Sequence, residues 1–199
     1  MYSLNQFYDL NLPRLPSYVP INSFITNALV STAVTTQLLS SNVLRAAPFV
    51  ISSKTTINRL VFSVTTAGST NSATIVGLYS NKILSIGDDY PYQLLASSGV
   101  QDSAAATVKT TDITPVILNP GIYWVAYNCN EVGTEPTLRG VNQGALFALG
   151  VDAGLGTNTQ QCIISIAKTY DGTLPATFPS GATLVSNTSI PILAMRRSA

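Results

Sequence analysis

The chain contains no histidine among its 199 residues. That removes the side chain that titrates nearest neutrality, and with it the commonest general base and the commonest metal ligand. Serine and cysteine nucleophiles that rely on an imidazole are excluded for the same reason. Charge is scarce as well: ten Lys and Arg and nine Asp and Glu make up 10% of the residues and leave a net charge of +1, against about 25% charged residues in ordinary soluble domains. A chain so balanced has no electrostatic pull toward nucleic acid or an anionic membrane. Two cysteines, Cys129 and Cys162, are too few for a disulfide framework. They form either two buried thiols or one bridge between neighbouring strands. No window reaches the roughly 18 apolar residues of a membrane span, and the first twenty residues lack the basic and continuous apolar regions of a secretory signal. Phosphate-cradling glycine loops are missing too. The expectation is a soluble protein made in a cytoplasm, with no cofactor and no membrane span.

With so few charges, the polar surface has to come from Ser, Thr, Asn and Gln, a composition that suits a part of an assembly. The length allows one domain with its own core plus an arm. Residues 1–20, "MYSLNQFYDLNLPRLPSYVP", differ from the rest. Pro13, Pro16 and Pro20 exclude a stable helix through the segment and discourage a central strand. Tyr2, Phe7, Tyr8 and Tyr18 supply apolar hooks, so the segment reads as an extended arm that buries aromatics on its own domain or on a partner. Residues 21–42 read as a Ser/Thr/Asn-rich connector holding either a first strand near Ala33–Leu39 or a short helix. From Val43 to the end the pattern is β. "TTINRLVFSVTT" sets Leu60, Phe62 and Val64 on one face. "ATIVGLYSN", "QLLASSGV", "AATVKTTDITPVIL", "QQCIISIAKTY" and "SIPILAM" add further short runs. In "QQCIISIAKTY", Cys162, Ile164 and Ile166 alternate with Ile163, Ser165 and Ala167. "SIGDDYPY" reads as a loop, "GTLPATFPSGATL" as a connection, and "EVGTEPTLRGVNQG" as a loop with a short strand. Roughly eight strands separated by turn signals predict an all-β fold, an antiparallel sandwich of jelly-roll-like type over residues 43–199, preceded by the arm and connector over 1–42.

The stretch "NPGIYWVAYNC", Asn119–Cys129, holds the single tryptophan. One face carries Ile122, Trp124, Ala126 and Asn128, the other Tyr123, Val125, Tyr127 and Cys129. Both are substantially apolar, as expected of a strand in the middle of a sandwich or one that meets another subunit. Core packing of Trp124 with its indole N–H on a carbonyl, a sugar-stacking platform, and a subunit interface are the three readings.

Candidate chemistry is sparse. A glycosidase needs two carboxylates facing each other across a sugar, and most of the nine here fall in expected turns, where Asp caps backbone N–H groups. The chain therefore reads as non-enzymatic. "GDDY" at 87–90 offers Asp88 and Asp89 as carboxylates, but a calcium site wants six or more oxygens, and solvated turn residues are the simpler assignment. Tyr90 and Tyr92 in the same loop are the aromatics a glycan would stack on. Arg196 and Arg197 read as a solvated C-terminus or a partner contact.

Four segments resemble, in order, a β-sandwich domain found in virion proteins of tailed bacteriophages: "SSNVLRAAPFVISSKTTINRLVFSVTTAG", "VGLYSN", "LNPGIYWVAYN" and "LPATFPSGATLVSNTSIPILAMR". They span about residues 38–197. Each motif alone is unspecific, and the ordered set carries the resemblance. The chain departs from the family pattern in "KILSIGDDYPYQLLASSGV", where Asp88, Asp89 and Tyr92 are additions. The resemblance implies a structural role without catalytic residues, in tail fibres, tail tips or capsid decoration, often as a homotrimer. The implied partners are other virion proteins and, for a receptor-binding version, a host surface glycan. The implied location is the virion.

Overall fold

The computed structural model of the chain describes residues 19–27, 34–85, 87–142, 149–151, 160–186 and 188–199. The arm residues Tyr2, Phe7, Tyr8 and Tyr18 lie outside the described residues. The described residues form two antiparallel sheets and no helix. Sheet I holds β1 (Phe24–Thr26), β2 (Val34–Leu38), β4 (Thr55–Thr66), β8 (Val108–Leu118), β10 (Thr137–Val141), β14 (Ile190–Pro191) and β15 (Ala194–Arg197). Sheet II holds β3 (Val43–Ile51), β5 (Ala73–Ile83), β6 (Asp89–Ser97), β7 (Gln101–Asp102), β9 (Gly121–Cys129), β11 (Gly150–Val151), β12 (Gln160–Ala167) and β13 (Thr183–Ser186). The chain changes sheet at β2–β3, β3–β4, β4–β5, β7–β8, β8–β9, β9–β10, β10–β11 and β13–β14. This repeated crossing makes the antiparallel sandwich jelly-roll-like.

The alternation read from the sequence carries the core. Leu60, Phe62 and Val64 of β4 are buried at 1–3% exposure and face Val76, Leu78, Val125 and Phe49 of sheet II. The connector read over 21–42 supplies β1, which pairs with β15, and β2, which pairs with β10. Asn27 at the end of β1 is buried, donating to Pro191 O at 3.1 Å and accepting from Leu193 N at 3.0 Å. Proline falls where a ladder can spare an N–H. Pro48 lies beyond the residues of β3 that pair with β12, and Pro115 sits inside the register break between β8 and β4.

Three details differ from the sequence reading. The segment read as a loop over residues 85–92 is half strand: β6 begins at Asp89, and the turn closes through Leu84 N to Asp88 O and Gly87 N to Leu84 O, both 2.8 Å. Gly87 takes φ +92° there, a conformation natural to glycine. In β12 the strict alternation fails, because a register shift between Gln161 and Ile163 puts both Cys162 and Ile163 in the inter-sheet core, while Ile164 faces outward. A bulge of this kind reverses which face the following residues occupy. The final run is two short strands, β14 and β15, on different neighbours.

The largest departure is a third layer. Residues 168–182, which run from the end of the stretch read as a strand through most of the connection read over 172–184, lie across the outer face of sheet II. There Leu174 and Phe178 pack with Leu44, Ala46, Ile75, Tyr79, Trp124 and Ala126 in a second buried cluster. This strap is tied to β6 by Leu94 N to Ala176 O at 2.9 Å and Phe178 N to Tyr92 O at 2.8 Å, so it also covers the β6 edge. Asp171 fixes its first turn, accepting from Lys168 Nζ, Thr173 N and Thr173 Oγ1, each at 2.9 Å. Those bonds, the Lys168 one foremost, hold its carboxyl well below the usual range. Asn42, in a left-handed turn with φ 56°, joins β3, β9 and the strap. Its N donates to Cys129 O, its O accepts from Lys168 N, its Oδ1 accepts from Tyr170 N, and its Nδ2 donates to Glu131.

The strap fits because β5 carries glycine beneath it. A Cβ on Gly77 would stand 2.5 Å from Leu174 Cδ1 and 2.9 Å from Ala96 O. Gly77→Ala is therefore expected to destabilise the fold by about 1–3 kcal/mol through overpacking. In urea denaturation, Gly77→Ala combined with Leu174→Ala should lose clearly less than the sum of the single effects. Strict additivity would show that the strap does not rest on Gly77.

Candidate functional site

The four residues singled out at the β5–β6 hairpin, Asp88, Asp89, Tyr90 and Tyr92, divide by role. Asp89 accepts from Asn81 Nδ2, and Asn81 Oδ1 accepts from the Trp124 indole N–H at 2.8 Å. The hairpin therefore orients the indole. The acceptor is the side-chain amide carbonyl of Asn81, a carbonyl as expected from the sequence. The Tyr90 hydroxyl donates to Pro179 O at 2.7 Å and accepts from Ala182 N at 3.1 Å, and its ring meets Phe178 edge-on at 5.9 Å. Tyr90 is thus a clamp on the strap, together with Tyr79, whose hydroxyl donates to Pro175 O at 2.7 Å. Tyr79 and Tyr90 each set an edge against Phe178, the arrangement aromatic quadrupoles favour. Asp88 and Tyr92 are exposed, and Lys82 Nζ stands 5.1 Å over the Tyr92 ring. Of the proposed glycan-facing group, only these two point to solvent.

Trp124 itself is fully buried and belongs to the second cluster. Of its three readings, the structure supports packing. The strap occupies the face on which a sugar would stack.

The remaining carboxylates mostly serve the backbone or an ion pair. Asp102 accepts from Ala104 N at 2.8 Å and Glu131 from Asn42 at 3.0 Å. Asp112 takes both Arg59 nitrogens, at 2.5 and 3.0 Å, with Arg196 at 3.8 Å, and the Arg59 bond holds its carboxyl below the usual range. Arg196, read as solvated, also donates to Asn58 at 2.8 Å, and Arg197 donates to Val19 O at 2.6 Å. A shallow cleft of about 370 Å³ opens between β6 and β8, lined by Leu95, Ile113, Val116 and the Asp112 edge. Its single carboxylate is already paired, so it brings together no acid and base. Among the described residues no three Cys, Asp or Glu side chains gather as metal ligands.

The sequence reading assigned no role to the outward residues of β1 and β2. Ile21, Phe24, Val34 and Leu38 are 61%, 44%, 47% and 58% exposed. Each strand has one neighbour among the described strands, β15 for β1 and β10 for β2. The period-2 spacing of Val34, Thr36 and Leu38 was the available signal, hidden by the Ser/Thr/Asn content around it.

No protein-family model and no curated protein matches the sequence. Among solved structures, the fold is similar to the cysteine protease and lectin-like domains of Cwp84, a surface layer associated protein of Clostridium difficile. The TM-score is 0.37 and the identity 11%, over 85% of this chain and 37% of that one. This chain thus spans little more than a third of that one, and at such a score the likeness carries no argument about activity.

Removing the Asn81 amide by Asn81→Ala leaves a buried indole donor unpaired and is expected to cost about 1–3 kcal/mol in chemical denaturation. Tyr92→Ala should stay within about 0.5 kcal/mol. Equal losses at the two sites would contradict their assigned roles. Burial pushes the Cys129 thiol up to about 12, with Glu135 adding to the effect, and burial raises Cys162 as well. Native protein at pH 8 should therefore leave both thiols unreacted with a disulfide reagent, and denatured protein should release two. A fast-reacting native thiol would contradict the burial.

Proposed function

We propose that this chain is a non-enzymatic structural component of a tailed-phage virion. It joins a capsid or tail protein through its N-terminal side and displays the sandwich on the particle, as a decoration or cement protein or as a short fibre. The observation that carries this reading is the apolar margin of sheet I. Phe24, Val34 and Leu38 stand exposed on strands with one neighbour each, with Ile21 exposed in the turn before β1, directly after the aromatic-rich N-terminal segment. Apolar residues concentrated on strand margins mark interaction sites. The ordered resemblance over about residues 38–197 supplies the virion context, and the absence of histidine argues against acid–base chemistry. The partners are other virion proteins and further copies of the chain, with a trimer favoured. The chain carries no role on nucleic acid or in a membrane span.

Antibodies to the sandwich should label purified parent particles in electron micrographs. A chain lacking residues 1–18 should keep a cooperative thermal transition yet fail to join particles. Unlabelled particles would remove the virion assignment, and normal occupancy by the truncated chain would remove the N-terminal anchor. Light scattering should give about 63 kDa, three times 21.0 kDa, for the full chain and a correspondingly lighter trimer for the truncated one, and a monomer in both would remove the trimer. A receptor-glycan role on the same particle is the second reading, favoured by the exposed Tyr92 ring beneath Lys82. It predicts that Tyr92→Ala abolishes binding to host polysaccharide.

A further inference from the structure

Arg45 and Tyr127 are directly opposite each other in the β3–β9 ladder, so their side chains leave the same face of sheet II. That face is the sandwich interior: the neighbours of Tyr127 along β9, Val125 and Cys129, and the neighbour of Arg45 along β3, Ala47, all belong to the inter-sheet core. A cation pointing there needs a counter-charge, because desolvation of an unpaired ion is costly. Arg45 is half-buried and has no carboxylate within 4 Å among the described residues. Its Nε is shielded from solvent with no acceptor in hydrogen-bond geometry; the guanidinium lies near enough to the Tyr127 oxygen to act on it, yet the phenol O–H, on a residue 1% exposed, has no acceptor of its own. Glu135 is the acidic group felt in this neighbourhood, through its effect on the Cys129 thiol, yet it forms no hydrogen bond or ion pair with Arg45.

Two buried donors side by side, one of them cationic, describe half of a binding site. Buried donors in native proteins are almost always satisfied, and the guanidinium edge presents two parallel N–H groups that match a carboxylate or sulfate. We propose that Arg45 and Tyr127 form a binding site for an oxyanion, a carboxylate or sulfate group that enters at the end of the sandwich where Arg45 reaches solvent. The guanidinium holds two of its oxygens or one edge, and the phenol donates to the oxygen nearest the core. A free anion and a carboxylate presented by a larger molecule share this chemistry, and a small free anion is the simplest probe of it.

The test is a thermal-shift titration of the full chain with sodium sulfate and sodium acetate against sodium chloride at matched ionic strength. It is repeated on Arg45→Met, Arg45→Lys and Tyr127→Phe. Sulfate or acetate is expected to raise the Tm of the wild type by about 2–4 °C near saturation, beyond chloride. The apparent affinity should fall about tenfold or more in Arg45→Met and Tyr127→Phe, with Arg45→Lys in between. Tyr127→Phe in chloride should be at least as stable as the wild type, since it removes an unpaired buried hydroxyl. This variant keeps the test open where Arg45→Met fails to fold. No anion-specific shift in the wild type would overturn the site. So would a shift that survives in both Arg45→Lys and Tyr127→Phe, or a clear loss of stability in Tyr127→Phe without anion, which would mean that a water or a protein group already satisfies the phenol. Acetate acting where sulfate does not would point to a carboxylate on a partner, and the reverse to a free tetrahedral anion.

Discussion

The fold depends on burying β9 from both sides. Val125 and Tyr127 point into the space between the sheets, and Trp124 and Ala126 point away from it, yet all four are at most 1% exposed. A two-layer sandwich has only one interior, so a central strand that is apolar on both faces needs a second cover. The strap of residues 168–182 is that cover, and much of the rest follows from it. Gly77 is small because Leu174 lies on it. Tyr79 and Tyr90 are tyrosines with hydroxyls on strap carbonyls. Asn81 and Asp89 orient the indole that the strap seals. Each buried polar tip in this group has its partner, which the low dielectric beneath the strap makes necessary.

The scarcity of charge shapes how the molecule is tied together. With only nine acidic and ten basic side chains, Asn, Ser and Thr take over the joints. Among the described residues, the non-glycine positions with positive φ are Asn22, Asn42 and Asn71, the residue type that tolerates this region best after glycine. Asn42 spends all four of its polar groups on other segments. Thr74 and Ser103 bond each other at 2.9 Å in a fully buried position. Such neutral bonds avoid the desolvation cost of buried ion pairs.

What the sequence made legible was local. Period-2 alternation located β4 and its buried triplet Leu60, Phe62 and Val64, and the double apolar pattern of Gly121–Cys129 marked a strand without an exposed face. Tertiary placement was not legible. Nothing in "GTLPATFPSGATL" distinguishes a strap over a core from a solvated connection, because Leu174 and Phe178 are too far apart to form a periodic signal. The bulge at Cys162 and Ile163 hid for a related reason: one extra residue shifts the phase, and a sequence cannot say where the partner strand absorbs it. Of the hairpin group, Asp88 and Tyr92 stayed on the surface as expected, while Asp89 and Tyr90 were drawn into support of Trp124 and the strap. Their partners, Asn81 and Pro179, come from other segments. The Arg45–Tyr127 pairing was equally hidden, since it exists only through the β3–β9 register.

The two sheets end up with unequal surfaces, and this bears on the proposed role. Sheet II has the part of its outer face around Trp124 and its β6 edge covered by the chain's own strap, while Val50, Ile83 and Leu184 stay exposed on its strands. Sheet I keeps an outer face with a cross-strand row of Phe24, Arg196, Arg59 and Asp112. It also keeps the margins of β1 and β2, where Phe24, Val34 and Leu38 are exposed, and the β8 edge, where Val108 and Ile117 are. An exposed ion pair such as Arg59–Asp112 contributes little to stability in water, but it lowers the cost of covering that face, because each charge arrives already paired. A partner that docks on sheet I would bury apolar margins and a compensated charge row together. This is the combination that specific interfaces favour over isolated charges. Val19, the first described residue, lies on this same side, its O held by Arg197 at the end of β15, next to β1.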